Sequence, residues 1–219
     1  MSKIKIAIQG ELGAYSHIAV ENLYKDAEIR TCSTFEETFK QAYNDPTFKI
    51  VIPIENSLAG RVADIHYLLP KYKLQIHGEY FLPVVHNLLG KPDATIDDIK
   101  YVRSHAQAIS QCQKIITQKN FKSIISVDTA GSAKDLAEGK DKTIAAIASD
   151  LSAKMYNLKI LQKNIEDDKG NVTRFLIMGK NIEQPDYDKS KKYMTSCIFR
   201  VKSEPSALYK CLGGFATNQ

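Results

Sequence analysis

Short apolar stretches alternate along the chain with longer segments whose apolar residues recur at helical spacing. The first half contains the segments KIAIQG, AYSHIAVENLYK, TFEETFKQAYND, KIVIPI and GRVADIHYLL. Short runs of apolar, β-branched residues are typical of buried strands, and a spacing of three to four residues is typical of helices. The pattern therefore predicts an α/β fold in which helices cover a largely parallel sheet.

A second set of elements follows the extended stretch LQIHGEYFLPVVHNLLGK. It consists of YVRSH, AQAISQCQKIITQ, SIISVD, TAGSAKDLAEG and TIAAIAS, which alternate strand and helix. No Gly/Ser linker separates the two sets, so we expect two lobes joined by extended crossing segments, with a ligand cleft between them. Lobe 1 is expected over about 1–78 plus a returning strand near 171–180, and lobe 2 over about 79–168.

The clearest helix lies in TFEETFKQAYND. Thr34 and Glu37 have the spacing of a capping box. The apolar face of this helix comprises Phe35, Phe39, Ala42 and Tyr43. These features predict a structural helix that packs on the sheet.

The composition changes at KNIEQPDYDKSKKY, a polar stretch that contains Pro185. We expect a linker over 184–192, followed by one strand and one helix in residues 193–219. A single β-α unit of this size cannot bury its own faces. Either it packs on the main body or on a partner subunit, or it is part of what is usually a longer domain.

Composition narrows the function classes. Hydrophobic residues make up 43% of the chain and charged residues 25%, as in ordinary soluble globular proteins. The start MSKIKIAIQG lacks the features of a signal peptide, which predicts a cytoplasmic protein without a membrane segment. The formal charge is +5, but basic and acidic residues are interleaved, so nucleic-acid binding is not expected.

Cysteine and glycine spacing argue against bound cofactors. Four cysteines lie far apart in sequence, at Cys32, Cys112, Cys197 and Cys211. They form no CxxC pair and mostly lie in apolar patterns, so we expect buried reduced thiols rather than disulfides or a metal site. Gly10 and Gly13 allow a tight strand-to-helix turn but lack the GxGxxG spacing of a dinucleotide site.

Three strand ends lead into polar, helix-opening turns, where free backbone N–H groups favour anions. These turns are GELGAYS, IENSLAGRV and RSHAQAISQC. In the second turn, Asn56 and Ser57 are candidate ligand-binding residues, although either one would equally serve to cap the next helix.

In the third turn, Ser104 and Gln107 have capping-box spacing, which alone would explain both residues. His105 is interpreted as a capping-turn residue rather than a catalytic base, because no Asp or Cys lies near it in sequence. Gln111 follows Ser104 by two helical turns, so the two residues either share one face or Gln111 is simply solvated.

Thr173 and Arg174 lie side by side within the otherwise apolar VTRFLIM. Adjacent side chains of a strand point to opposite faces, so the simplest interpretation is an edge strand with Thr173 inward and Arg174 in water. The sequence contains no recognisable Ser/His/Asp set, nucleophilic Cys or pair of catalytic carboxylates. Any chemistry must therefore rely on hydrogen bonding and placement.

The ordered motifs GELGAYSHIA, IPIENSLAGRV, SHAQAISQC, VDTAGSA, ILQKNIEDDKGNVTRFLIMG and SALYKCLGGFATN resemble the bacterial prephenate dehydratase family over nearly the whole chain. The most characteristic motif is N-x-T-R-F, here Asn171, Thr173, Arg174 and Phe175. The resemblance implies a two-lobed catalytic unit over 1–183, similar to type II periplasmic binding proteins. It also implies conversion of prephenate to phenylpyruvate, water and carbon dioxide in phenylalanine biosynthesis, without a cofactor.

By this resemblance, Thr173 is the catalytic hydroxyl. The implied substrate-binding residues are Asn56, Ser57, Ser104, Gln111, Arg174 and Phe175. The Thr173–Arg174 pair would then face a cleft, with Arg174 as a bidentate partner of a substrate carboxylate. Ala14 and Ala106 stand where many members of the family have Thr and Pro, and neither change removes a group with a direct role.

Residues 193–219 resemble the first strand and helix of an ACT domain, which binds phenylalanine in this family, but the rest of that domain is missing. Because the effector site of that domain is incomplete, we expect no cooperative inhibition by L-phenylalanine. We also expect a homo-oligomer, either a dimer or a tetramer. Two alternatives to prephenate dehydratase stay open. One is an arogenate dehydratase of the same family, and the other is a non-catalytic small-anion-binding protein of the same fold.

Overall fold

The computed structural model describes residues 3–181 and 186–217. The chain divides into two compact units, Met1–Gln184 and Pro185–Gln219. The first unit contains two β-sheets, and each sheet forms the centre of one lobe.

Lobe 1 is built on a six-stranded sheet in the spatial order β2-β1-β3-β11-β5, with the short strand β4 paired to β3. Its strands are β1 (Lys5–Gln9), β2 (Glu28–Cys32), β3 (Phe48–Asn56), β4 (Gly60–Arg61), β5 (Gln75–Pro83) and β11 (Val172–Gly179). Its helices are α1 (Tyr15–Leu23), α2 (Phe35–Asn44) and α3 (Ala63–Tyr72). The last strand before lobe 2 thus runs five residues beyond the expected boundary at 78.

Lobe 2 is built on a five-stranded sheet in the order β10-β6-β9-β7-β8. Its strands are β6 (Asn87–Gly90), β7 (Tyr101–His105), β8 (Lys122–Ser126), β9 (Ile144–Ala148) and β10 (Lys159–Gln162). Its helices are α4 (Ala106–Ser110), α5 (Gln113–Gln118), α6 (Thr129–Glu138) and α7 (Asp150–Met155), and a 3-10 turn covers Ile96–Asp98.

Both sheets are mixed, so the expectation of mostly parallel sheets is wrong in this respect. Within the described residues, β1 pairs in parallel with β2 and β3, and β7 pairs in parallel with β8 and β9. Apart from the short hairpin of β3 and β4, the antiparallel pairs involve strands next to the crossings between lobes, because β11 returns from lobe 2 and runs against both β3 and β5. In lobe 2, β6 likewise runs against β9 and β10.

The central strands of lobe 1 are buried on both faces, which explains their continuous apolar sequence. One face carries Ile8, Val51 and Ile177 and packs with residues of α1. The other face carries Ile52 and Leu176 and packs with residues of α2 and α3. Two separate layers of apolar side chains therefore hold the strands that support the cleft.

Helix α2 matches the sequence prediction. Thr34 is its N-cap and accepts a hydrogen bond from the Glu37 backbone N–H at 3.1 Å. The Glu37 carboxylate accepts the Ser33 N–H at 2.9 Å rather than that of Thr34, so the box closes one residue earlier than the motif predicts. Phe39 and Ala42 are buried, whereas Tyr43 is 45% exposed.

The turn between β1 and α1 fastens lobe 1 to lobe 2. The carbonyl oxygen of Gly13 accepts hydrogen bonds from Ser149 Oγ at 2.7 Å and from Ser152 Oγ at 2.9 Å. Gly13 has φ +90°, and a Cβ atom there would lie 2.9 Å from the Ser152 Cα. Only glycine fits this contact without a shift of backbone. Tyr156 strengthens the contact by donating to the Leu12 carbonyl at 2.8 Å.

The second unit contains helix α8 (Ala207–Thr217). The described part of this unit contains no strand, so the predicted strand is not observed there. Its exposed apolar residues include Ile198, Phe199, Leu208, Leu212 and Phe215. The relation of residues 193–219 to an ACT domain stays a prediction.

The four cysteines are free thiols, as expected. Cys112 is buried and Cys32 and Cys211 are partly buried, but Cys197 is exposed, so the expectation of burial is wrong for that residue. None of the helices in residues 3–181 and 186–217 has the length and apolar character needed to cross a membrane.

Candidate active site

A cleft of about 380 Å³ lies between the two lobes of the first unit. This volume suits a small organic ligand. Its polar lining residues are Gln9, Tyr15, Ser16, Asn56, His86, His105, Gln107, Gln111, Asp128, Thr129, Asn171 and Thr173. Both sheets contribute, so the lining depends on the two lobes being held together.

Strand β11 supplies one wall of the cleft. Asn171, Thr173 and Phe175 line it, as expected of alternate residues that share one face of a strand. Since β11 pairs with β3 on one side and β5 on the other, the interpretation of an edge strand is wrong. Thr173 is 9% exposed, so its hydroxyl is placed in a nearly dry setting.

Asn56 ends β3 directly opposite Thr173 in the strand pairing. Its side-chain oxygen accepts the backbone N–H groups of Leu58 at 3.1 Å and Ala59 at 3.0 Å. Asn56 therefore caps a turn, as one sequence interpretation held, but the turn leads into β4 and not into a helix. Two backbone donors fix the amide, so its NH₂ group must point the other way, toward β11.

The Thr173 hydroxyl oxygen accepts a hydrogen bond from this NH₂ group. Asn56 Nδ2 donates to Thr173 Oγ1 at 2.9 Å and to Asn171 Oδ1 at 2.6 Å. Among the residues that the structure describes, no hydrogen bond has the Thr173 hydroxyl as donor. Its proton is therefore available to a molecule in the cleft.

Gln111 ends α4 and joins lobe 2 to this group. Its side-chain oxygen accepts from Asn171 Nδ2 at 2.9 Å and contacts His86 Nε2 at 3.0 Å. The Gln107 amide adds a longer contact of 3.4 Å to Asn56 Oδ1. Gln111 thus lies in the cleft, and its position does not match a simple solvated residue.

Ser104 is not in the cleft. It is fully buried within β7, and its hydroxyl donates to the Ile147 carbonyl at 2.6 Å. The predicted Ser104–Gln107 capping box is also wrong, because β7 runs on to His105 and α4 begins at Ala106. His105 is the N-cap and accepts from the Gln107 N–H at 3.3 Å, which confirms its interpretation as a capping residue.

Ser57 also lies outside the cleft lining. Its hydroxyl donates to the Gly170 carbonyl at 2.8 Å and accepts the Val172 N–H at 2.9 Å. These bonds bind the turn after β3 to the start of β11. The structure therefore gives Ser57 a part in aligning the strand rather than a contact with ligand.

Arg174 points away from the cleft, as the alternation of a strand requires. Its guanidinium contacts Glu79 at 2.6 Å and Glu55 at 3.5 Å, and lies 5.9 Å from the centre of the Phe81 ring. The expected pairing with a substrate carboxylate is thus replaced by pairing with two carboxylates of the protein.

Phe175 has two roles in the described structure. It is 1% exposed and belongs to the core cluster that contains Ile8, Val51 and Leu82. Its ring also forms part of the cleft lining. It supports the wall of the cleft from within the core.

Sequence reasoning missed His86 and Tyr15. His86 is 2% exposed and lies in the crossing segment between β5 and β6, with its Nδ1 2.8 Å from the Tyr15 hydroxyl. The signal was present in the sequence VVHNLL, where a histidine interrupts an apolar run that leads from one lobe to the next. A buried histidine in such a run needs two hydrogen-bond partners, which sequence alone does not name.

The cleft is nearly free of charge. Burial raises the pKa of Tyr15 well above its usual value, with smaller contributions from Cys112, Glu166 and Asp150. Burial also lowers the pKa of His86, against the opposing effects of the Gln111 hydrogen bond and Glu166. Both groups are thus neutral near pH 7.

Asp128, the N-cap of α6, is the one carboxylate among the described lining residues. No lysine or arginine is among them. Within the described residues there is also no group of three or more His, Cys, Asp or Glu side chains that is arranged to hold a metal. The site therefore offers mainly neutral hydrogen-bond donors and acceptors.

The prephenate dehydratase family model matches residues 6–183, which include both lobes and the whole cleft lining. The chain belongs to the prephenate dehydratase family. This finding confirms the family and the lyase class that the resemblance implied.

Two curated relatives match nearly the whole chain. The bifunctional N-acyl-homoserine lactone acylase/prephenate dehydratase of Komagataeibacter europaeus is 40% identical over 97% of this chain and 75% of that protein. The chloroplastic arogenate dehydratase/prephenate dehydratase 2 of Arabidopsis thaliana is 37% identical over 100% of this chain. The chain spans three quarters of the bacterial relative but only 57% of the plant protein.

A solved structure has the same fold. The prephenate dehydratase of Arthrobacter aurescens, in complex with L-Phe, superimposes with a TM-score of 0.84 at 23% identity. The match covers 98% of this chain and 72% of that chain.

Proposed function

We propose that the cleft binds prephenate and catalyses its decarboxylating dehydration to phenylpyruvate without a cofactor. The observation that carries this proposal is the Thr173 hydroxyl, which accepts a hydrogen bond from Asn56 and keeps its own proton for the cleft. Such a donor is what the departing oxygen of the substrate needs. Membership of the family supports the same reaction.

The main catalytic requirement of this reaction is stabilisation of the hydroxyl group as it leaves the ring of prephenate. The bond from the ring to its carboxylate breaks, and that electron pair enters the ring as the bond to the hydroxyl oxygen breaks. The prephenate dianion and one proton thus give the phenylpyruvate anion, carbon dioxide and water. Because the ring becomes aromatic, the step is downhill once the oxygen can depart.

Thr173 supplies that help by hydrogen bonding. Its hydroxyl has too high a pKa to act as a conventional acid near neutrality, but a fixed donor stabilises negative charge as it develops on the leaving oxygen. The Asn56 amide polarises the hydroxyl and fixes its direction. One such donor is commonly worth about 3 kcal/mol of transition-state stabilisation.

The substrate carboxylates are assigned to neutral donors. Helix α1 opens into the cleft at Ala14, Tyr15 and Ser16, and its N-cap Ala14 provides no side-chain hydrogen bond. The first N–H groups of a helix are suited to an anion, and the helix dipole adds to the attraction. We assign one substrate carboxylate to these N–H groups at the start of α1. They take the place of Arg174, which the resemblance implies as the partner of a carboxylate.

Asp128 favours a second candidate, arogenate. Arogenate carries an ammonium group where prephenate has a keto group, and a carboxylate in the cleft attracts an ammonium. Asp128 Oδ1 accepts the Gly131 N–H at 2.6 Å, so Asp128→Asn keeps a good cap while removing the charge. If Asp128 pairs with arogenate, this variant lowers the ratio of kcat/KM for arogenate to that for prephenate by about 10-fold. An unchanged ratio would show that Asp128 only caps α6.

The direct test of function is turnover of both substrates by the purified chain. We expect phenylpyruvate to form from prephenate at a rate that scales with protein concentration. A folded chain that binds prephenate but turns over neither substrate would contradict the proposal and favour the non-catalytic binder. No observation in the described cleft lining favours the acylase activity that is named for the bacterial relative.

Three expectations stay predictions. These are the homo-oligomer, the cytoplasmic location and the lack of inhibition by L-phenylalanine. Titration of L-phenylalanine into the turnover assay tests the last of them, and light scattering tests the first.

A further inference from the structure

His86 uses both ring nitrogens to join the two lobes at the cleft. Its Nδ1 lies 2.8 Å from the hydroxyl of Tyr15 on α1, and its Nε2 lies 3.0 Å from the side-chain oxygen of Gln111 on α4. Its backbone N–H donates to Glu166 Oε2 at 2.9 Å. Its backbone carbonyl accepts the Ile165 N–H at 2.9 Å, so every polar atom of this residue, which is 2% exposed, has a partner in the protein.

The direction of the hydrogen bonds on the Nε2 side follows from the backbone. Because two backbone N–H groups fix the oxygen of Asn56, its NH₂ group faces the oxygen of Asn171 at 2.6 Å. Asn171 must then turn its own NH₂ group to Gln111, whose oxygen lies 2.9 Å away. The Gln111 oxygen can only accept, so the His86 nitrogen that faces it must be the donor.

These constraints leave His86 one neutral form. Its proton lies on Nε2, and because burial lowers the pKa of His86, Nδ1 carries no second proton. The single proton of the Tyr15 hydroxyl is then shared between His86 Nδ1 at 2.8 Å and the Val85 carbonyl oxygen at 2.7 Å. The other neutral form would set the Nε2 lone pair against the Gln111 oxygen. Reversing Gln111 to avoid this would bring its NH₂ group against that of Asn171, and reversing Asn171 would conflict with Asn56.

We propose that His86 is a positioning residue, whose Nε2–H orients Gln111 and, through Asn171 and Asn56, holds the Thr173 hydroxyl with its proton toward the cleft. This inference rests on the proposed role of Thr173. The chain of hydrogen bonds spans both lobes, so it also couples the direction of the hydroxyl to the seating of lobe 2 on lobe 1. A partner of this kind holds its neighbour at a defined angle, as outer residues do around metal ligands.

Two amide variants of His86 distinguish a positioning role from simple space filling. The amide nitrogen of glutamine reaches the place of Nε2, so His86→Gln keeps a donor for Gln111. The amide of asparagine reaches only the place of Nδ1, so His86→Asn keeps a group for Tyr15 and loses the donor. Both variants keep a polar, uncharged side chain in the same buried position, which makes them a matched pair.

We expect His86→Asn to lower kcat by about 10-fold or more with less than about 3-fold change in KM, and His86→Gln to retain kcat within about 3-fold of the parent chain. Thermal unfolding of both variants checks that they are folded. Equal kcat values for two folded variants would overturn the proposal and leave His86 as a spacer between lobes. A rise in KM alone would also overturn it.

A second measurement does not depend on turnover or on the variants. The ¹⁵N chemical shifts of the His86 ring in the intact chain report which nitrogen carries the proton. We expect a protonated Nε2 and an unprotonated Nδ1 near pH 7. The opposite form would overturn the direction of the chain of hydrogen bonds even in an active enzyme, whereas absent turnover with the expected form would count against the proposed function alone.

Discussion

Thr173 and Arg174 are neighbours in sequence, but they serve two different regions of the molecule. On the cleft side of β11, Thr173 faces Asn56 across the strand pairing, and the contact is a neutral hydrogen bond of 2.9 Å. On the opposite side, Arg174 faces Glu55 and Phe81 on the two neighbouring strands and pairs most closely with Glu79. Strand β11 thus carries a neutral network on its cleft face and an ion pair on its other face.

The difference indicates what each face of β11 does. Amides have fixed donors and acceptors, so the cleft-side network has one allowed arrangement and can aim a hydroxyl. The ion pair behind it tolerates small shifts because charge attraction depends weakly on angle. The cleft side is therefore expected to govern catalysis, and the opposite side is expected to govern stability.

The largest effect short of removing the hydroxyl is expected from Asn56→Asp. The new carboxylate can still accept the N–H groups of Leu58 and Ala59, but it has no proton to give to Thr173 or Asn171. The Thr173 hydroxyl should then turn its proton to the carboxylate and away from the cleft. We expect kcat to fall by at least about 100-fold, measured by phenylpyruvate formation. Near-normal kcat would show that the direction of the hydroxyl does not matter.

An intermediate effect is expected on the pH dependence of stability. Burial lowers the folded-state pKa of His86, and likewise that of His17. Such histidines bind protons more readily in the unfolded chain, so their contribution is complete above about pH 6.5 and is lost as the pH falls from there through the folded pKa.

His86→Gln removes one of these two histidines while keeping a polar side chain at the same position, so comparison with the parent chain isolates the contribution of His86. Over that pH window, the unfolding free energy of this variant should fall less steeply than that of the parent chain, by up to about 1.4 kcal/mol per pH unit. Urea unfolding at several pH values between 8 and 5 measures both slopes. Identical slopes would mean that His86 keeps an ordinary pKa in the folded protein.

The smallest effect is expected on the Arg174 side. Arg174→Lys weakens the contacts with Glu79 and Glu55, and Glu79→Gln removes the main partner charge. Because the pair is partly exposed, each change should lower the unfolding free energy by about 1 kcal/mol, or Tm by about 2 to 4 °C. Values of kcat and KM should stay within about 3-fold of the parent chain. A large rise in KM for prephenate would return Arg174 to the substrate site.

Local patterns in the sequence were enough to predict much of the fold. The apolar runs of β1 and β3 and the Thr34 cap of α2 are decided by burial period and capping chemistry, which short segments contain. The antiparallel course of β11 could not be predicted this way. It depends on where a chain that has crossed to lobe 2 re-enters the first sheet, and no local residue determines this.

The candidate site was also predicted only in part, because local motifs indicate some of its residues and contacts between distant segments determine the others. Thr173, Asn56 and Gln111 meet in the cleft because the start of β11, the end of β3 and the end of α4 adjoin there. The family resemblance assigns Ser104 and Arg174 to it as well, whereas Ser104 is buried within β7 and the alternation of β11 turns Arg174 to the opposite face. His86 was missed because its partners, Tyr15 and Gln111, lie far from it in sequence.

The central claim is that the hydroxyl of Thr173 stabilises the leaving oxygen, and the kcat of Thr173→Ala tests it most directly. Thr173→Ser is the matched control, since it keeps the hydroxyl and loses only a methyl group. We expect Thr173→Ala to lower kcat for prephenate by at least about 100-fold while unfolding at nearly the parent temperature, and Thr173→Ser to retain much more activity. A folded Thr173→Ala protein with near-parent kcat would contradict the account.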